Sequence, residues 1–354
     1  MKHWLISAFF LGMLTCATAQ KVDLDKWYYT YTYRHLPAKP LSSEFTTYNI
    51  VVNAPRTIKN NLPTEQLESL INLEGWRRVE ANGHLEILVS LEDLMIEKSE
   101  IKERFEVKKD KDNKETGKTY YYWGEIVYTF SGRSIAKTYE GKIINTVELA
   151  NGYTKNVYKT TEYSNYKDAS AYLANNREQL RDQLIRTSVQ NAFKTYEQRL
   201  NYDYAFPIYS ERDYVWLNAA RRHPEFEPAA VAVKNIKELM PKVRGDEPLD
   251  AAMANMKPTL DYLESVITKY TGKEKEDKKL RYSSYYTLSK LYLALDQPDL
   301  AIKYANDLAA NDYDTGDAKS LIKDAETVKE QMALNNMKSR HFYIDTSKME
   351  PPAR

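Results

Sequence analysis

Four of the five histidines lie beyond residue 19, and they are the first side chains to test for chemistry, because imidazole serves both as a metal ligand and as a general base. They lie far apart in the sequence, and none has a second histidine at metal-ligand spacing: His35, His84, His223 and His341. No His-Glu-x-x-His motif occurs. We interpret these side chains as surface or hydrogen-bonded histidines. The sequence predicts no catalytic residues, no metal site and no cofactor.

Two pairs of aspartates have the alternate spacing with which a calcium loop begins. A lysine or a glycine then replaces the third ligand, and a tyrosine or a lysine replaces the closing glutamate. The two series are Asp110, Asp112, Lys114 and Tyr121, and Asp312, Asp314, Gly316 and Lys323. Neither series therefore predicts a calcium site.

Ser134 and Lys137 have the Ser-x-x-Lys spacing that some acyl-transfer enzymes place on a helix. This copy lies in a stretch with strand character, where residues three apart face opposite sides. We predict that the lysine cannot activate the serine. Acidic pairs such as Glu92 and Asp93 are frequent in a chain with 50 acidic residues. Glycoside hydrolysis needs two carboxylates at a defined separation, which no such pair establishes.

Tyrosine is the unusual component, with 29 residues against 9 phenylalanines and 5 tryptophans. Its ring suits positions with one apolar side and one wet side, and it favours strands. Half-exposed sheet faces account for this composition. The alternative hypothesis is a first half that binds glycans or hydrolyses them, through an aromatic surface formed by Trp27, Tyr28, Tyr120, Tyr121, Tyr122 and Trp123.

The elements that would position these side chains change in character along the chain. Residues 27–34 alternate as a strand does, and after Thr119 further strands recur at the spacing of an antiparallel sheet. Asn82-Gly83 predicts a tight hairpin between residues 76–79 and 85–91. From 168 to 200 the apolar positions recur three to five apart, which predicts one long helix across a face of the sheet.

The second half is predicted to be helical, beginning with helices at 214–222 and 228–240. The fold class is therefore α+β, with an antiparallel β-rich domain and a long packed helix followed by an array of helical hairpins. The predicted division of the chain is a signal peptide at 1–19, a β-rich domain at 20–165, the long helix and linker at 166–205, a helical domain at 206–337 and a flexible tail at 338–354.

Residues 283–310 resemble one tetratricopeptide repeat, a unit of about 34 residues. The residues that carry the resemblance are Leu288, Ser289, Tyr292, Ala301, Tyr304 and Leu308. Ala305 stands where the family usually has an aromatic residue, and the family's proline after Ala310 is absent. The resemblance implies stacked helix pairs with a concave face that binds a peptide or a protein. Tyr285 and Tyr292 are the candidate partner contacts.

The first residues have the pattern of an export signal. Lys2 precedes a short apolar stretch at 4–14, and Ala17-Thr18-Ala19 has the spacing that a signal peptidase requires. A lipoprotein anchored through Cys16 is the alternative, although Thr15 is large for the residue before a lipidated cysteine. The expected location is periplasmic, outer-membrane-associated or secreted. No second apolar run approaches the length that spans a bilayer.

Composition narrows the possible partners. Without Lys2 the basic and acidic residues balance, so no basic excess favours nucleic acid. Our leading hypothesis is a non-enzymatic exported bacterial protein that acts as an adaptor or scaffold in the cell envelope. It would bind a protein or peptide through its helical domain and could associate peripherally with the outer membrane.

Overall fold

The computed structural model describes residues 21–353. The predicted signal peptide at 1–19, including Cys16, lies outside the described residues, and the export hypothesis stays a prediction. Between residues 21 and 353, no helix combines the length and the apolar character needed to cross a membrane.

The described chain contains ten strands and nine helices. The strands are β1 (Leu24–Arg34), β2 (Thr47–Asn53), β3 (Arg77–Arg78), β4 (Leu85–Leu91), β5 (Met95–Lys109), β6 (Glu115–Thr129), β7 (Gly132–Thr138), β8 (Ile143–Ala150), β9 (Asn156–Lys159) and β10 (Ile208–Asn218). The helices are α1 (Arg56–Asn61), α2 (Thr64–Ser69), α3 (Tyr166–Asn175), α4 (Arg177–Tyr204), α5 (Phe226–Leu239), α6 (Asp250–Lys269), α7 (Lys275–Ala294), α8 (Pro298–Ala310) and α9 (Gly316–Leu334). Strands dominate the first half and helices the second, which confirms the α+β fold class.

The chain forms two compact units. The β-rich unit comprises Arg34–Ile208 and the chain from Tyr343 onward, and the helical unit comprises the described residues up to Tyr33 together with Tyr209–Phe342. Strand β1 thus lies in the helical unit, where it pairs with β10. The β-rich domain predicted from the sequence, at 20–165, includes residues 20–33. Tyr29 and Tyr31 of β1 instead share a buried core with Val215 and Leu217 of β10 and with the helices that follow.

The β-rich unit has a five-stranded sheet in the order β3-β2-β4-β7-β8. Strand β2 is parallel to β3 and β4, whereas the β4–β7 and β7–β8 pairs are antiparallel. The predicted hairpin around Asn82-Gly83 is therefore wrong, because β2 lies between β3 and β4. Gly83 packs against the β2 backbone and its amide donates to Asn49 Oδ1 at 2.9 Å. A Cβ at position 83 would lie 2.7 Å from Tyr48 Cα, a contact that only glycine avoids.

The predicted long helix is present as two helices. Asn176 ends α3, and its conformation (φ −109°, ψ 16°) departs from helical geometry before α4 begins. The apolar side of α4 packs on the sheet through a core that includes Leu184, Val189 and Phe193 of the helix and Ile87 and Val89 of β4. A separate sheet in the order β5-β6-β9 contains the longest strands, which pair as an antiparallel ribbon.

The predicted helix at 214–222 is wrong, since residues up to Asn218 belong to strand β10. Val215 and Leu217 are buried while Tyr214 and Trp216 are half-buried, which is the two-residue period of a strand. Aromatic and β-branched residues support that conformation. In so short a segment, the spacing of a few apolar residues does not distinguish a helix from a strand.

The predicted flexible tail at 338–354 is wrong for its first residues. Arg340 and His341 are buried in the helical unit, where both bind the Asp296 carboxylate between α7 and α8. Arg340 Nε lies 2.7 Å from Asp296 Oδ1, and His341 Nδ1 lies 2.7 Å from Oδ2. The other ring nitrogen of His341 lies 3.0 Å from the Thr32 carbonyl of β1. His341 thereby links the turn between α7 and α8 to strand β1.

Asp296→Asn should destabilise the helical unit by about 3 kcal/mol at pH 7, because the buried guanidinium of Arg340 loses its counter-charge. Asp296 has φ +55°, a conformation that asparagine also accepts, so the substitution changes charge and not the turn. Urea unfolding followed by circular dichroism measures the loss. Asp299→Asn on α8, where the side chain is 78% exposed, is the matched control and should change stability by less than about 0.5 kcal/mol.

The wild type and the Asp296→Asn protein should also differ in how strongly acid lowers their stability. Burial alone would raise the pKa of Asp296, but hydrogen bonding to His341 and the charge of Arg340 outweigh it and lower the pKa to about 2. A depressed pKa stabilises the fold above the unfolded value near 3.8 and loses that contribution as pH falls through about 2. The wild type should lose about 2 kcal/mol over this window that the Asp296→Asn protein does not lose. Equal acid sensitivity of the two proteins would contradict the assignment.

Candidate binding site

The α7–α8 pair contains the residues that carry the repeat resemblance. Leu288 and Ala301 are fully buried, and the Ser289 hydroxyl donates to the Ala301 carbonyl at 3.0 Å. The small side chains at 289 and 301 thus let the two helices approach closely. This packing is what the resemblance implies for one helix pair, and assignment to the tetratricopeptide family stays a prediction.

Tyr292 is part of the interior. Its ring stacks on Tyr304 with 5.5 Å between centroids and only 6° between the planes. Both hydroxyls donate to Glu264 Oε1, at 3.3 Å from Tyr292 and 2.6 Å from Tyr304. Burial, together with the Glu264 charge, raises the pKa of Tyr292 to about 12. The side chain therefore packs α7 against α6 and α8, and a partner could not reach it without disturbing that core.

Tyr285, the other candidate contact, lines an open cavity of about 410 Å³ that we call the Tyr285 cavity. Lys278 and Arg281 lie on the same side of α7, at helical spacings of seven and four residues before Tyr285. The remaining lining comes from the loop after α6 and from the end of α8: Thr271, Gly272, Lys273, Asp307, Ala310, Asn311 and Asp312. Sequence reasoning identified Tyr285 alone, although the spacing of 278, 281 and 285 could have marked the two cations.

Arg281 builds the wall of the Tyr285 cavity. Its guanidinium donates to Asn311 Oδ1 at 2.8 Å, to the Gly272 carbonyl at 2.9 Å and to the Tyr270 carbonyl. These acceptors are neutral, so they orient the guanidinium without cancelling its charge. One side chain thereby ties the loop after α6 to the end of α8.

The other charges of the Tyr285 cavity are mostly paired. Lys278 binds Asp312 at 2.9 Å, and Asp307 binds Lys303 at 3.0 Å. Lys273 is exposed and has no ion pair with any residue between 21 and 353. The hydroxyl of Tyr285 likewise has no hydrogen-bond partner in that range, and burial raises its pKa. The cavity therefore presents an unpaired ammonium group, an oriented guanidinium and one phenol.

None of these four histidines lines the Tyr285 cavity, and each is buried with a ring nitrogen near a protein atom. The contacts are His35 Nε2 to the Tyr202 carbonyl at 2.9 Å, His84 Nδ1 to Thr47 Oγ1 at 2.8 Å, His223 Nδ1 to the Glu225 amide at 3.1 Å, and His341 to Asp296. Burial lowers the pKa of His35, His84 and His223. Within the described part of the chain, no cluster of three or more histidine, cysteine or acidic side chains could hold a metal ion.

Ser134 and Lys137 face opposite sides of β7, as predicted. The serine hydroxyl is buried between the Leu88 carbonyl, at 2.9 Å, and the Tyr196 hydroxyl, at 2.8 Å. Lys137 instead pairs with Glu86 on the neighbouring strand at 2.9 Å. The arrangement gives Ser134 no basic side chain as a partner.

The aromatic residues proposed for glycan binding are divided between the two units. Trp27 and Tyr28 lie on β1 of the helical unit, whereas positions 120 to 123 lie on β6 of the β-rich unit. On β6 the side chains alternate. Tyr120 and Tyr122 occupy one face of the ribbon with 6.4 Å between ring centroids. Tyr121 and Trp123 occupy the other face, where Arg104 and Lys159 lie 4.3 and 5.4 Å from their ring centroids.

Comparison with known proteins yields neither a matching family model nor a matching curated protein.

Tyr292→Ala should lower the free energy of unfolding by about 3 kcal/mol, because it leaves a cavity against Tyr304 and removes one of the two hydroxyls that donate to Glu264. Tyr285→Ala should cost about 1 kcal/mol, since its ring is half-buried and its hydroxyl forms no bond with a described residue. Urea denaturation of the two variants beside the wild type measures both. A larger loss for Tyr285→Ala than for Tyr292→Ala would reverse the assignment of surface and core.

Proposed function

We propose that this chain is a non-enzymatic exported bacterial protein that acts as an adaptor in the cell envelope and binds a protein or peptide partner through the Tyr285 cavity. The observation that carries the proposal is the cavity itself, which combines an aromatic ring with cationic groups that the fold does not neutralise. Export, by cleavage after Ala19 or by lipidation at Cys16, rests on the sequence pattern of residues 2–19.

The charges of the Tyr285 cavity favour a partner segment with a carboxylate. Lys273 is available for an ion pair, and the guanidinium of Arg281 keeps its charge because its acceptors are carbonyl and amide oxygens. The free energy cost of desolvating a cation at an interface is offset when an acidic group of the partner lies opposite it. The half-buried ring of Tyr285 offers apolar area for a neighbouring side chain on the same segment.

Binding fits the lining better than catalysis does. Lys278 and Asp307 form ion pairs, and Arg281 donates to three acceptors. A catalytic role would require these side chains to break contacts that stabilise the fold. A peptide can use the remaining donors without displacing them. An adaptor needs this kind of preorganised surface, because rigid side chains reduce the entropy lost on association.

Lys273→Glu should weaken partner binding about tenfold, since it replaces an attraction to the partner carboxylate by a repulsion. Parallel captures from a bacterial envelope extract compare the full-length wild type with this variant. Lys319→Glu on α9 is the matched control, because Lys319 is also exposed and lies outside the cavity. Both substitutions change the net charge equally.

A protein counts as the partner only if Lys273→Glu loses it, Lys319→Glu retains it and rising salt weakens its capture. The proposal fails if every captured protein binds the two variants equally, or if the captured amount does not depend on salt. Unfolding curves of the two variants establish that any difference comes from the surface charge.

A further inference from the structure

The β-rich unit contains a second cavity, of about 310 Å³, where the end of β8 and the following turn approach α4. We call it the α4 cavity. Six of its side chains are amides or hydroxyls: Asn151, Thr154, Asn156, Ser188, Asn191 and Thr195. Apolar area comes from Tyr128, Phe130, Leu149 and Ala192. The volume lies at the lower end of the range typical of small-molecule sites, about 300 to 1,000 Å³.

The lining of the α4 cavity contains no Asp, Glu, Lys, Arg or His. The chain as a whole is 29% charged, so a lining set of this size would carry about three charged residues by composition. The three other cavities described for the two units all have charged walls. The α4 cavity thus combines many polar groups with electrical neutrality, and a charged ligand would find no counter-charge in its wall.

The polar side chains that α4 contributes to the cavity are available to hydrogen-bond a ligand. Ser188, Asn191 and Thr195 recur at the three- and four-residue spacing of one helical face. None of the three side chains forms a hydrogen bond with another residue that the structure describes. Across the cavity, Asn151 accepts from the Tyr153 amide at 2.8 Å and Asn156 donates to the Thr154 carbonyl at 3.3 Å. Those bonds hold the turn, and each amide keeps further donors or acceptors.

We propose that the α4 cavity binds a neutral saccharide. A sugar ring presents several hydroxyl groups that both donate and accept, as do the side-chain amides and hydroxyls of this wall. Its apolar C–H face can pack on the ring of Tyr128 and on Leu149. A purely apolar ligand would displace water from these polar side chains without offering hydrogen bonds in exchange, which makes such an occupant unfavourable. This inference goes beyond the partner-binding proposal and does not depend on it.

The test titrates the full-length chain with uncharged saccharides: glucose, galactose, mannose, N-acetylglucosamine and the β-linked disaccharides of glucose and N-acetylglucosamine. Saturation-transfer difference NMR detects binding at millimolar concentration and calorimetry gives Kd. The double substitution Asn191→Ala/Thr195→Ala should raise Kd about tenfold, because it removes two hydrogen-bonding groups from the wall. Binding should be insensitive to salt, since no charges attract the ligand.

Gln190→Ala/Gln198→Ala is the matched control, because both glutamines are exposed on α4 and neither lines the cavity. It should leave Kd unchanged. The proposal is overturned if no saccharide of the panel binds the wild type, if the cavity and control variants bind equally, or if a charged sugar binds more tightly than its neutral parent. Lys273→Glu should not alter saccharide binding, so failure of this inference and failure of the partner-binding proposal remain distinguishable.

Discussion

Burial of Tyr29 and Tyr31 beside Val215 and Leu217 is the interaction on which the organisation of the chain depends. It places β1 in the core of the helical unit, where it pairs with β10. The core therefore requires residues that lie on either side of the whole segment from Arg34 to Ile208 in the sequence. Insertion of so long a segment is tolerated because the entropic cost of closing a loop rises only with the logarithm of its length.

The helical core also determines which residues of α7 remain available for binding. Leu288 and Leu291 are buried in it, and Tyr292 is held there by Tyr304 and Glu264. Tyr285, about two helical turns before Tyr292, lies where the loop after α6 leaves a cavity. Arg281 fixes that loop by binding its carbonyl oxygens. The cationic character of the Tyr285 cavity is therefore a consequence of how the fold satisfies its own backbone groups.

The two cavities differ in the kind of ligand that their walls can satisfy. The Tyr285 cavity contains three basic and two acidic side chains and suits a charged segment whose binding is weakened by salt. The α4 cavity has only neutral amides, hydroxyls and apolar groups and suits a ligand that exchanges hydrogen bonds with them. A chain with both properties would hold a protein partner and a sugar through separate units, which is consistent with the proposed role as an envelope adaptor.

The sequence alone determined the α+β class, the α7–α8 pair and the opposite facing of Ser134 and Lys137, because local spacing fixes which side of a helix or strand a residue occupies. It could not show that β2 inserts between β3 and β4, that β1 joins the helical unit, or that Arg340 and His341 bind Asp296. No sequence pattern predicts the α4 cavity, because its lining comes from positions spread between 128 and 195. These features are contacts between residues distant in the chain, and periodicity carries no information about which distant surfaces meet. Only tertiary packing decides that, since it depends on the summed burial of all the elements at once.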